Sequence, residues 1–162
     1  LTPLATNSER RIARLTKPDL SGLPGFLTEH GGLCSGLLML QVTAAALTSE
    51  LKSLAHPASV DTIPTSANRE DHVSMSMSAA LKAARAVHMA TRVVAIELLC
   101  ACQALDLLRP LTSSESLETV FARVREQVSR LGDDRPSSPD IDAIAQMIDR
   151  HDIVKVCPTP LA

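Results

Sequence analysis

Over residues 69–108 the sequence keeps a helical apolar pattern for nearly forty positions, a rod of about 60 Å if straight. Val73, Met77, Leu81, Ala84 and Val87 recur at three-to-four spacing, with Lys82, Arg85 and Arg92 off that stripe. From Val93 onwards the run is apolar nearly all round, and Glu97, Gln103 and Asp106 are its only polar members. Residues 33–55 hold a second pattern of this kind. There Leu33, Leu37, Leu38, Met39, Leu40, Val42, Leu47 and three alanines cover almost the whole circumference. A helix apolar all round is buried on every side or lies in a membrane. Gln41 and Thr43 interrupt the second run, so its apolar length falls far short of the ~20 residues a span needs. Two such helices cannot bury themselves in a 162-residue chain with few other elements. The expected fold is all-α, with long, mostly buried helices forming part of an oligomeric helical bundle and covered by further chain, by other subunits, or by both. Glu97, a charge inside the apolar run, predicts a paired structural carboxylate.

The core must be built from Leu, Ala, Val, Ile and Met, because Phe26 and Phe121 are the only aromatic residues. Nucleic-acid modules that stack bases need aromatic platforms, so that class loses ground. A net charge of −2 and a pI near 6.2 give no pull towards nucleic acid or an anionic membrane. Cys34, Cys100, Cys102 and Cys157 form no C-x-x-C pair, and the histidines have no paired spacing. Neither a metal site nor a disulfide framework is expected, and a reducing cytoplasm fits best. The chain opens Leu-Thr-Pro without Met or a basic-then-apolar leader. That opening suggests a fragment, a processed chain or a missing N-terminal part.

Residues 7–15 read as the end of a helix stopped at Lys17-Pro18, followed by a turn-rich crossing anchored by Leu23, Phe26 and Leu27. A shorter helix is expected over residues 114–131, with Leu117, Val120, Phe121, Val124 and Val128 on one face. Residues 132–139 form a linker, Asp140 caps a last helix through Ile148, and the tail from Cys157 is irregular. Residues 1–110 thus read as core helices with a loop strap, and 111–162 as C-terminal helices and tail.

The strap, residues 56–68, is polar and broken by Pro57 and Pro64, which push His56 and Ile63 towards extended backbone. Asn68 has the chemistry of an N-cap, with Asp71 three places on, close to a capping box. Glu70 and Asp71 would then lie in the first helical turn, where free N–H groups and the helix dipole favour carboxylates. A carboxylate held this way suits a cationic or N–H-bearing ligand; the plainer reading is an acidic cap on a solvated helix end. His72 has the same duality, as a loop-orienting group or a surface histidine.

Pro57-Ala-Ser-Val-Asp61 and Thr65-Ser-Ala-Asn-Arg-Glu-Asp-His-Val-Ser-Met75 resemble the C-terminal part of the histidine and aromatic amino-acid ammonia-lyases. Ser8-Glu-Arg-Arg11 and Leu23-Pro-Gly-Phe-Leu27 are similar to the same family at matching positions. Gly32-Leu-Cys-Ser-Gly-Leu-Leu-Met39 resembles its Gly-Leu-Asn-Ser-Gly-Phe-Met run, departing at Cys34, Leu37 and Leu38. The last fifty residues resemble the family only loosely. The resemblance implies elimination of ammonia from an aromatic amino acid, most like the histidine enzymes, which convert L-histidine to urocanate. It marks Glu70 as a catalytic and substrate-binding carboxylate and Leu38 as part of the substrate side-chain pocket. Glu70 favours an imidazole, because an apolar ring would leave the carboxylate unpaired. Arg69, adjacent to it, favours binding over proton abstraction.

The resemblance further implies a methylidene-imidazolone cofactor, a tetramer whose active sites draw on several subunits, and a small amino-acid substrate. Cys34-Ser35-Gly36 has the small-Ser-Gly composition of the cyclising triad but lacks the Asp-Leu-Ala-Pro that follows it. The cofactor-forming Ala-Ser-Gly is therefore expected outside these 162 residues, on the remaining N-terminal part of the lyase. This chain alone is expected to be inactive. Other readings are an assembly module that kept the bundle and lost catalysis, an aminomutase, or a lyase for a modified histidine.

Overall fold

The computed structural model describes residues 1–156, so the expected irregular tail from Cys157 lies outside the described residues. Among the described residues the structure is all-α and holds no sheet; its β-type pairings are two isolated bridges. The helices are α1 (Thr2–Leu15), α2 (Pro18–Ser21), α3 (Leu38–Leu54), α4 (Ser76–Leu107), α5 (Glu115–Arg125), α6 (Ser138–Asp149) and α7 (Asp152–Val156). The long α4 is the axis against which α1, α3 and α6 pack, and α1 also packs on α3.

The second half of α4 is buried nearly all round, through Met89, Ala90, Val93, Ala95, Ile96, Leu99, Cys100, Cys102, Gln103 and Ala104. Ile12 of α1, Leu40 and Leu51 of α3, and Ile144 of α6 are each 1% exposed or less. This interior of close-packed aliphatic side chains takes the place of an aromatic core. Burial pushes the Cys100 thiol up to about 12 and Cys102 to about 11, which keeps both protonated and inert. Glu97 is paired as its place in the apolar run requires. The Arg11 guanidinium grips both its oxygens, one at 3.0 Å, joining α1 to α4.

Several boundaries differ from those the sequence suggests. Apolar periodicity carries back to Leu33, yet α3 starts only at Leu38 and Leu33 is 87% exposed. The preceding chain turns through Gly32 and Gly36, both at positive φ, which helix cannot accommodate. α3 buries one stripe, Leu40, Ala44, Thr48 and Leu51, and leaves Met39 and Val42 exposed. α4 begins at Ser76 rather than Arg69, and its stripe residues Met77, Leu81 and Val87 are exposed. Among the described residues, α3 and the first half of α4 are therefore not buried all round, whereas the apolar run from Val93 is enclosed by this chain itself, against the expectation.

Asn68 is no N-cap: it closes a 3-10 turn, Ser66–Asn68, whose three residues all have positive φ. Glu70 and Asp71 precede the helix instead of forming its first turn. Some of the amides before Ser76 are already committed, among them those of Glu70 and Val73. Glu70 pairs with Thr65 in an antiparallel bridge, and the Val73 N–H donates to Thr62 Oγ1 at 2.9 Å. Local side-chain and bridge partners compete with helix propagation, and here they win.

Phe26 anchors the first crossing through its backbone, since its ring is 39% exposed. Its N–H donates to the Thr16 carbonyl and its carbonyl accepts from Leu37, both at 2.9 Å. Leu23 and Leu27 are buried as expected. α5 ends at Arg125, short of Leu131, though Val128 and Leu131 stay buried, whereas Leu117 is exposed. α6 begins at Ser138 with no side-chain cap. Asp140, read as its cap, lies in the first turn and accepts from Arg135 at 2.8 Å. The short α7 had no signal beyond Asp152 and three apolar residues.

A polar cluster fixes the corner between α4 and α5. Arg109 and Arg125 lie 4.7 and 5.6 Å from the centroid of Phe121, close enough for cation–π attraction. Arg125 also pairs with Asp106 at 2.7 Å. Glu118 accepts from Arg109 at 2.7 Å and from the Ser113 N–H at 2.8 Å. The Arg109 bond, then the Ser113 N–H, hold the Glu118 carboxyl below its ordinary 4.5.

Two predictions follow from this packing. A Cβ on Gly36 would stand 2.6 Å from the Phe26 carbonyl oxygen, and its φ is +56°. Gly36→Ala should destabilise by about 1–2 kcal/mol from backbone strain alone, whereas Gly132→Ala, with open space around it, should be near neutral in the same denaturant titration. Because Glu118 has a depressed folded value, its contribution is complete above 4.5 and lost as pH falls through that lower value. Glu118→Gln should therefore lower the unfolding midpoint at neutral pH, and the gap to the parent should close on acidification.

Candidate functional site

The strap between α3 and α4 is folded back on itself by its own polar groups. Thr65 N–H donates to the Glu70 carbonyl at 3.1 Å and Glu70 N–H returns to Thr65 at 3.4 Å. The Thr65 hydroxyl donates to a Glu70 carboxylate oxygen, which the Ser66 hydroxyl also approaches at 3.5 Å. The Glu70 side chain is thus held from its own side of the strap, while the residue as a whole is exposed. One oxygen is engaged by these hydroxyls, and a carboxylate has capacity for further donors. Lys82, on the first turns of α4, donates to the His56 carbonyl and pins the strap's entrance.

Beside this turn lies a cleft of about 220 Å³ lined by Ser59, Asp61, His72, Val73, Met75 and Ala79 among others. His72 faces the cleft, whereas Glu70 does not line it. Among the described residues no group of three His, Cys, Asp or Glu side chains could hold a metal. No helix among them is long and apolar enough to cross a membrane.

Leu38, the other residue singled out, is half-buried at the first position of α3. Glu70 belongs to the strap that follows the other end of that helix. The 17 residues of α3 separate the two ends by about 25 Å. The Arg85–Glu50 ion pair lays the exposed half of α4 beside the last turns of α3, far from Leu38. α3 thus lies between Leu38 and the strap that carries Glu70.

Around Leu38 the structure gives roles to Asp134 and Gln103 that the sequence did not assign. The Asp134 carboxylate accepts from the Ser35 N–H at 2.7 Å and the Gly36 N–H at 2.9 Å. These two backbone bonds hold its carboxyl below the ordinary carboxylate range. Gln103, buried in α4, donates to the Leu27 carbonyl at 3.2 Å and the Leu131 carbonyl at 2.8 Å. It also accepts from Leu131 N–H at 3.0 Å. The signal for Gln103 was its polarity inside an apolar run; Asp134 looked like any linker aspartate.

The same geometry bears on Cys34-Ser35-Gly36. Cyclisation to an imidazolone needs the glycine nitrogen to attack the carbonyl two residues back. Here that N–H is bound to Asp134 and Gly36 sits against the Phe26 carbonyl. The triplet is built as a helix entrance and does not fit formation of the cofactor.

A family model described as aromatic amino acid lyase matches residues 1–126. Histidine ammonia-lyase of Symbiobacterium thermophilum is 52% identical over 147 residues, which is 91% of this chain and 29% of that protein. Among solved structures, histidine ammonia-lyase from Trypanosoma cruzi superposes with a TM-score of 0.91 at 47% identity, covering 94% of this chain and 30% of that one. Tyrosine aminomutase from Streptomyces globisporus gives 0.90 at 32% identity, over 96% of this chain and 30% of the other. The chain thus spans less than a third of the length of these relatives. The long match, the polar strap and the helix order agree, and this chain belongs to the aromatic amino acid lyase family.

Proposed function

We propose that this chain is the C-terminal part of an ammonia-lyase that removes ammonia from L-histidine to give urocanate. The observation that carries the reading is the identity of 47% to the superposed histidine ammonia-lyase against 32% to the superposed tyrosine aminomutase. The state of Glu70 supports it: an exposed carboxylate, steadied by Thr65 and Ser66, is available to a donor arriving from outside the chain. An imidazole N–H is such a donor, and a phenyl ring is not. In this role Glu70 binds and orients the substrate ring, and Leu38 packs against a substrate side chain.

The methylidene-imidazolone characteristic of the family supplies the electrophile that makes an unactivated β-proton removable. We assign its formation to an Ala-Ser-Gly segment on the remaining N-terminal part of the protein. The resemblance makes the β-proton base a tyrosine, and because this chain has none we assign the base to chain outside it. We read residues 1–110 as the core and strap, and 111–162 as C-terminal helices and tail; α4 ends at Leu107 and α5 starts at Glu115, which suits that division.

The working unit is a homo-oligomer, and a tetramer accounts for two observations together. Exposed Met39, Val42, Met77, Leu81 and Val87 need covering. Glu70 and Leu38, towards different ends of α3, would meet if they came from different copies. A cytoplasmic location accords with the free cysteines. An aminomutase using the same cofactor is the second reading, favoured by the TM-score of 0.90 to the tyrosine enzyme.

The test is turnover by the complete protein, followed as absorbance growth in the urocanate band on adding L-histidine. Glu70→Gln should lower kcat/KM for histidine about 10- to 100-fold, the loss of one charge-assisted hydrogen bond. Product analysis that finds a β-amino acid instead supports the aminomutase; no turnover of any aromatic amino acid supports the assembly module.

A further inference from the structure

The start of α3 has an unusual source of order. Its N-cap position, Leu37, offers no side-chain cap, and the amides of the two residues before it, Ser35 and Gly36, take their acceptor from far along the chain. Asp134 provides them from 98 and 99 positions away in sequence, one oxygen for Gly36 and one for Ser35. Gly36 is closed against the Phe26 carbonyl and Thr28, so the entrance has no slack on that side. Asp134 is itself held: Arg135 donates to the Ser129 carbonyl at 2.9 Å and to Asp140 at 2.8 Å. Gln103 bonds both polar backbone groups of Leu131, and Arg130 pairs with Glu29 at 2.8 Å. The linker over residues 129–135 is therefore a fixed bracket whose end grips the chain two residues before Leu38.

We propose that Asp134 is a positioning residue for the substrate side-chain pocket, setting the place of Leu38 through the Ser35 and Gly36 amides. This rests on the reading that Leu38 faces the substrate. The C-terminal linker, which makes no contact with substrate in that reading, thereby tunes which ring the pocket accepts. Two charge-assisted bonds to adjacent amides fix a direction as well as a distance, which a single neutral bond does not. Displacing a pocket wall changes binding of the ring in ground state and transition state alike. The signature is thus a change in KM and in substrate preference with kcat nearly kept.

The experiment uses the full-length enzyme, comparing Asp134→Asn, Asp134→Ala and Leu38→Met with the parent. KM and kcat are measured for L-histidine and for L-phenylalanine. Asp134→Asn keeps one acceptor and guards against a failure of Asp134→Ala to fold. Both should raise KM for histidine, by up to about 10-fold for Asp134→Ala, and shift the histidine-to-phenylalanine ratio, with kcat within about 2-fold. If Leu38→Met shifts the ratio while folded Asp134 variants lose only thermal stability or active fraction, Asp134 is merely structural and the proposal falls. If Leu38→Met leaves KM and the ratio unchanged, Leu38 is not in the pocket, and the proposal falls together with that reading.

Discussion

The apolar circumference of α4 between Met89 and Ala104 has to be covered, and the rest of the chain is arranged to cover it. α1, α3 and α6 each give it a stripe of aliphatic side chains. The polar groups that intrude are paired across elements: Glu97 with Arg11, Gln103 with the backbone at Leu27 and Leu131, Asp106 with Arg125. Each of these bonds does two jobs. It removes the penalty of a buried polar group, and it fixes the register of one segment on another.

That same axis explains why the two ends of α4 behave differently. Its second half is enclosed by this chain, while its first half, laid beside the last turns of α3, keeps Met77, Leu81 and Val87 exposed. The strap that carries Glu70 leads into this half. Glu70 is exposed there, at the end of α4 whose apolar stripe is left uncovered. In the proposed tetramer the cover is another subunit, and one active site would join the strap of one copy to the α3 entrance of another.

Periodicity made the helical class, the axis and most of the core legible, because α4 from Val93 onwards leaves almost no polar face to misplace. Glu97 was legible as a paired carboxylate for the same reason, although nothing local named Arg11, 86 positions away, as its partner. The errors cluster where backbone conformation overrides apolar spacing. Leu33 continues the helical pattern but Gly36 at positive φ postpones α3. The capping chemistry of Asn68 was real in kind, yet Thr65, Ser66 and Glu70 use their polar groups in a turn of their own. The role of Glu70 came from resemblance, since an acidic residue before a helix has no distinctive spacing. Asp134 was illegible because its partners are backbone amides nearly a hundred residues earlier.

The most direct test of the central claim is a structure of the complete protein with an unreactive histidine analogue bound. The account predicts the Glu70 carboxylate within hydrogen-bond distance of an imidazole nitrogen, with Leu38 of a different subunit against the same ligand. An analogue bound elsewhere, with Glu70 turned to bulk solvent in the assembled protein, would contradict it.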